Sequence, residues 1–113
     1  MEQVLCLSTM KPLFHPKPED IMLETVLSAL SDPARLRIVT LLAEKDELRC
    51  HELDLDLAAS TTSHHCKILR ESGVVRTRAS GTERIMSLRK SDLAERFPGL
   101  LDAVIFAYKA KST

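Results

Sequence analysis

"STTSHHCKILRESG", residues 60–73, places short hydroxyl side chains and two adjacent histidines ahead of an apolar, basic run that a glycine closes. Cys66, Ile68 and Leu69 supply apolar positions and Gly73 is a natural terminator, so the stretch reads as a helix from about Ala59 to Ser72. The period then changes. In "VVRTRASGTERIMSLR" (74–89), Val74, Val75 and Thr77, and later Ile85, Met86 and Leu88, flank the loop "ASGTE". That pattern predicts a two-stranded hairpin carrying Arg76, Arg78 and Arg84.

Working upstream, "RCHELDLDLAAS" (49–60) is too short and too acidic for a long helix. It reads as one or two helical turns near Arg49 to Leu53, followed by a turn; "KDEL" before it is a polar turn. "SDPARLRIVTLLAE" (31–44) is a largely buried helix that Ser31 or Asp32 caps, with Pro33 in its first turn. "EDIMLETVLSAL" (19–30) has apolar residues near helical spacing and acids at its start. Residues 1–17, with Pro12 and Pro16, form an N-terminal arm, and 18–113 form the domain. Downstream, Ser91 caps a last helix that Phe97-Pro98-Gly99 interrupts. Its end, Leu100 to Tyr108, is more apolar than one face needs, as in half of a dimer interface.

The resulting order is helix, helix, short helix, helix, hairpin, helix: a mainly α chain with a small β-hairpin. The short helix and the one after it make a helix-turn-helix, and the hairpin makes a wing. In such an arrangement the N-terminal turns of the second helix enter the major groove of DNA, where short polar side chains approach base edges and phosphates. Thr61, Thr62, Ser63 and His64 are such side chains. Lys67 and Arg70 follow to neutralise the backbone, and Arg76, Arg78, Thr82 and Arg84 on the wing reach the adjacent groove.

The formal net charge is zero, yet Ser60 to Lys90 holds seven basic residues against two acidic ones. The rest of the chain is acidic to the same extent, so the positive field is local. The 113 residues suffice for one domain with a core too small to be generously stable, which a dimer would relieve. Aromatics at 4% argue against base-stacking platforms for single strands. Three cysteines do not make a secreted disulfide framework, and no apolar run approaches the length of a membrane span. A cytoplasmic location, with no membrane partner, follows as the expectation. Enzyme chemistry is excluded on geometry: Ser63 and His64 are adjacent and diverge on a helix, and no oxyanion loop accompanies them. His64 and His65 point about 100° apart and do not chelate one ion together; one faces DNA and the other packs or meets solvent.

"LSDPARLRIV", together with "SHHCKILRESGVV", a wing glycine and a closing "LR", strongly resembles the winged-helix ArsR/SmtB repressors of bacteria over about residues 20 to 110. The resemblance implies a homodimer, joined through its first and last helices, that binds an imperfect palindromic operator in double-stranded DNA. It also implies release when an effector acts. Ala58 stands where relatives carry a serine-like cap, so the cap slips to Ser60 or is missing at a cost of roughly 1 kcal/mol.

The effector is less determined. Metal-sensing relatives carry a Cys-x-Cys pair in the short helix, but here Arg49 and His51 occupy those positions, with Cys50 between them. Residues 91–113 contain no histidine for the other zinc site of the family. No resident cofactor is therefore expected. A fallback metal site would draw on Cys6 and His15 in the arm with Cys50 and His51. A thiol reading competes: Cys50, beside Arg49 and His51, favours the thiolate, and its oxidation, or a disulfide with Cys6 or Cys66, would shift the helix-turn-helix. Cys66 stands where the family usually has leucine, which suits a buried thiol. A winged helix that serves only as a protein-interaction module, without touching DNA, is the alternative from another class.

Overall fold

The structure, a computed structural model, describes residues 13–112. After a single 3-10 turn at Pro18–Asp20 come α1 (Leu23–Leu30), α2 (Pro33–Lys45), β1 (Glu47–Arg49), a second 3-10 turn at Cys50–Glu52, and α3 (Ala59–Ser72). The hairpin strands β2 (Val75–Ser80) and β3 (Glu83–Leu88) follow, then α4 (Lys90–Arg96) and α5 (Leu100–Ser112). The architecture is mainly helical with a small antiparallel sheet, a winged helix-turn-helix.

Local chemistry sets the helix ends. Asp32, rather than Ser31, caps α2: its Oδ2 accepts from the backbone amides of Ala34 at 2.9 Å and Arg35 at 3.1 Å, with Pro33 just inside. Ser31 donates instead to the Ser28 carbonyl at 2.8 Å. α3 begins at Ala59 with Ala58 at its N-cap and no side-chain cap bond, so the cap is missing rather than moved to Ser60. α3 ends where the sequence placed it. Gly73 takes φ +93°, and the Val74 amide bonds back to the Leu69 carbonyl at 3.1 Å, a Schellman-type closure. A side chain there would have no room, because a Cβ on Gly73 would lie 2.6 Å from Cγ1 of buried Ile21.

The hairpin forms as expected, with Gly81 and Thr82 as its two-residue loop and Ser80 paired with Glu83. Its face is set by alternation: Val75 and Thr77 point inward while Arg76 and Arg78 are exposed. The Leu69, Val74, Val75 and Met86 side chains meet Ile38 and Leu42 in one buried cluster that fastens α3 and the wing to α2.

Two expectations are corrected, and a third holds at its lower bound of one turn. "KDEL" is not merely a turn: after Asp46 at φ +67°, Glu47–Arg49 forms β1 and pairs with Ile85–Ser87, giving a three-stranded sheet ordered β1-β3-β2. Its pairing partner lies far along the chain, so no local period announces it. The short helix shrinks to the 3-10 turn Cys50–Glu52, whose start is tied by Glu52 Oε1 accepting from the Arg49 amide at 2.7 Å. Ser91 does not cap: α4 starts at Lys90 with Arg89 at the N-cap and no side-chain cap bond. The interruption at Phe97-Pro98-Gly99 does separate α4 from α5, with Gly99 at φ +81°.

Residues 13–16, from the arm, lie against α3 and the wing. Arg70 Nε donates to the Phe14 carbonyl at 3.2 Å, and the Thr77 amide donates to His15 Nε2 at 3.0 Å. Buried Arg89 donates through Nη1 to the Pro16 carbonyl at 2.8 Å and through Nε to Asp92 at 3.0 Å.

Candidate nucleic-acid interface

α3 is amphipathic along its whole length. Cys66, Leu69 and Ser72 are buried at i, i+3, i+6, while Ser60, Thr61, Ser63, His64 and Lys67 are exposed. The core-facing stripe holds the helix by its back and leaves its N-terminal turns free. Thr62 is half-buried. The two histidines divide as expected: His64 is exposed, whereas His65 is half-buried with Nδ1 3.0 Å from Arg35 Nη1. Because Ala58 offers no capping oxygen, the first amides of α3 lack a side-chain acceptor from that cap and suit an incoming phosphate.

The basic residues of the segment sit in different environments. Arg89 is structural and buried. Arg70, with 12% of its side chain exposed, is held by the Phe14 carbonyl and lies 4.0 Å from Glu71. Arg76 lies 3.7 Å from Asp92, Arg78 3.3 Å from Glu47, and Lys90 3.3 Å from Asp46. The pairs of Arg78 and Lys90 are exposed and weak enough in water for a phosphate to displace the carboxylate, whereas Asp92 is half-buried and also held by Arg89. Lys67 and Arg84 are exposed and make no ion pair among the described residues. Strand register splits the wing arginines. Arg84 pairs with Ala79 and so shares the face of Thr77 and Met86, toward α3. Arg76 and Arg78 lie on the other face, and Thr82 is exposed at the tip.

Between the Cys50–Glu52 turn, α3 and β3 lies a cleft of about 410 Å³, lined among others by Cys50, Thr62, Ser63, Cys66, Arg70 and Arg84. Here the two cysteines meet. A hydrogen bond from Cys66 holds the Cys50 thiol down to about 7, against the opposing effect of burial, and Arg84, His51 and Arg70 add to it. The same hydrogen bond, with burial, pushes the Cys66 thiol up. The sequence pointed to Arg49 as the neighbour that favours the thiolate, but Arg49 Nε reaches Glu83 at 2.7 Å. His51 Nε2 joins the same carboxylate at 2.9 Å, and the two together hold Glu83 below the usual carboxylate range.

Among the described residues the fallback metal set does not come together. His15 has both ring nitrogens engaged, Nδ1 with the Leu13 carbonyl at 3.0 Å and Nε2 with the Thr77 amide. Cys6 lies outside the described residues. Among the described residues no three His, Cys, Asp or Glu side chains gather in a ligand cluster. No helix among them is long and apolar enough to cross a membrane.

Residues 32–77, from the α2 cap through the recognition helix into the wing, match the family described as bacterial regulatory protein, arsR family. Over 89 residues the chain is 34% identical to the uncharacterized HTH-type transcriptional regulator YceK of Bacillus subtilis (strain 168), spanning 76% of this chain and 89% of that one. The chain belongs to the ArsR family. Like its relatives, this ArsR-family protein is a transcriptional regulator and not an enzyme. It is 37% identical over 67 residues to the arsenical resistance operon repressor of Staphylococcus xylosus, covering 58% of this chain and 64% of that repressor. Among solved structures, the ArsR family transcriptional regulator RHA00566 superposes with a TM-score of 0.58 at 26% identity, over 72% of this chain and 90% of its own.

Sequence reasoning raised Cys66 as one of two disulfide partners for Cys50 and left the choice open; that these two line one cleft depends on how the turn folds over α3. It missed the seclusion of Arg70 and Arg89 by carbonyls of the arm, which has no local signal in the sequence.

Proposed function

We propose that the protein is a homodimeric repressor that binds an imperfect palindromic operator in double-stranded DNA and releases it when an effector acts on the Cys50 thiol. The observation that carries this reading is the exposure of Ser63, His64 and Lys67 on the free face of an α3 whose opposite face is buried. Thr61, Ser63 and His64 read base edges in the major groove, with Thr62 at the margin of that face. Lys67 and Arg84, which make no ion pair among the described residues, bind phosphate. Arg76, Arg78 and Thr82 serve the wing, where phosphate displaces Glu47 from Arg78. Arg70 contributes charge from beneath the helix rather than a direct contact, since the arm holds it.

Dimerisation through the first and last helices is supported by unburied apolar side chains. On α1, Leu23 and Leu27 are 43% and 45% exposed, and on α5 Phe106 is 75% exposed. A second copy would cover Leu27 and the apolar groove it lines with Leu30, Leu36, Val104 and Ala107 where α1 and α5 come together. Operator binding places the protein with the chromosome, in the cytoplasm.

The test is duplex binding across salt concentration. A repressor of this kind loses affinity steeply, with a logarithmic slope of about −0.9 for each phosphate neutralised. Indifference to duplex DNA even in dilute buffer would instead support a winged helix used only as a protein-interaction module.

A further inference from the structure

We propose that Cys50 and Cys66 form a dithiol site at which a small hydroperoxide is reduced, closing a disulfide between the Cys50–Glu52 turn and the recognition helix and so releasing DNA. The inference rests on the reading of α3 as the DNA-reading helix and supplies the chemistry of its control.

Three observations converge on the pair. Both cysteines line one cleft, open to solvent and of about 410 Å³, which admits a molecule the size of a peroxide without rearrangement. Cys50 packs against the buried cluster to which Cys66 belongs, so the two sulfurs sit on neighbouring walls of the turn–helix junction. The cleft is shared with Thr62, Ser63 and Arg84, which belong to the proposed DNA surface. A change at the sulfurs is therefore a change beneath the residues that touch DNA.

The environment assigns the two roles. Cys50 is half-buried at the cleft and carries the thiolate; Cys66 is 8% exposed and keeps its proton. The Cys50 thiolate attacks one peroxide oxygen. An S–O bond forms, the O–O bond breaks, and the departing oxygen takes a proton and leaves as water or an alcohol. Cys66, losing its proton, then attacks the Cys50 sulfur: the S–S bond forms, the S–O bond breaks, and the hydroxide leaves as a second water. Two thiols lose two electrons and the peroxide gains them. Arg84 and Arg70 stabilise the anions on both sides of the step.

The new bond has a mechanical consequence. A disulfide is only ~2.05 Å long, much shorter than any non-bonded contact between two sulfurs. Cys66 is embedded in the close-packed cluster with Leu69 and Val74, which has little slack to absorb the difference. The turn and the N-terminal half of α3 are drawn together, and Ser63, one turn from Cys66, is displaced.

The test treats the full reduced chain with hydrogen peroxide and follows it two ways. Peptide mapping by mass spectrometry reports the thiol chemistry. Titration with a duplex selected by the reduced protein reports binding. The expected result is an intramolecular Cys50–Cys66 disulfide, a fall in affinity of roughly tenfold or more, as typical for coupled sites, and recovery on reduction. Cys6→Ser should respond like the wild type. Cys50→Ser should keep its affinity in peroxide. Cys66→Ser and the more conservative core variant Cys66→Ala should stop at a sulfenic acid on Cys50 that dimedone traps. A disulfide that uses Cys6, or oxidation of Cys50 that never engages Cys66, would overturn the proposal. So would a Cys50–Cys66 bond that leaves DNA affinity unchanged. Reduced protein that binds no duplex would overturn the DNA reading instead, while the mapped disulfide would still decide the thiol chemistry.

Discussion

The backbone amide of Thr77, in the wing, donates to Nε2 of His15, in the arm, at 3.0 Å. Because Nδ1 of the same ring donates to the Leu13 carbonyl, the two partners fix the neutral tautomer with its proton on Nδ1. A second proton on the ring would have to break the bond to Thr77.

Burial lowers the pKa of His15 from 6.5, the nearby guanidinium groups of Arg76, Arg70 and Arg89 lower it further, and only the bond to Leu13 opposes them. The folded value is below the unfolded one, so the contribution to stability is complete above about pH 6.5 and is lost as pH falls through the lower, folded value. Urea midpoints of the wild type and His15→Asn should differ most above neutrality and converge toward pH 5. A difference that stays constant or grows on acidification would contradict this assignment.

Arg89 is the most buried charge of the basic segment, and it binds both the Pro16 carbonyl and the Asp92 carboxylate. Arg89→Met should destabilise by about 3 kcal/mol, because the Pro16 carbonyl loses its side-chain donor and the Asp92 carboxylate keeps only the longer contact with Arg76. Lys90→Ala, which removes only an exposed pair with Asp46, should stay within about 0.5 kcal/mol. Denaturation curves of the two variants give the comparison directly.

Gly73→Ala combines an unfavourable φ of +93° with a Cβ 2.6 Å from Ile21. A loss of about 2–3 kcal/mol is expected from strain and overpacking together. Ala at Gly81, where nothing lies within 4 Å, meets only the conformational penalty and should lose less.

These stability predictions mark the boundary between what the sequence discloses and what it hides. The span of α3, its glycine closure, the Asp32–Pro33 start of α2, the hairpin and the break at Phe97-Pro98-Gly99 all follow from residues next to one another in the chain. β1 does not, since its strand character comes from pairing with Ile85–Ser87. The same holds for the site. The polar front of α3 was legible from short side chains ahead of an apolar run. The seclusion of Arg70, the division of the wing arginines between two faces and the meeting of Cys50 with Cys66 are products of tertiary packing.

Lys67 and Arg84, exposed and without an ion pair among the described residues, should each bind one phosphate. Replacing either by alanine should weaken binding to all duplexes and reduce the salt slope by about one. Changes at Ser63 or His64 should instead alter which sequence is preferred, at ~1–3 kcal/mol per base pair. Competition binding with several duplexes separates the two behaviours; untouched affinity in both cation variants would show that another surface meets the DNA.

Selection of duplexes from a random library with the purified, reduced protein tests the central claim most directly. Recovered sequences should converge on two inverted half-sites whose centres lie about 10 base pairs, or a multiple, apart, as a two-fold pair of recognition helices requires. No convergence, or a single half-site without symmetry, would contradict a paired, sequence-reading α3.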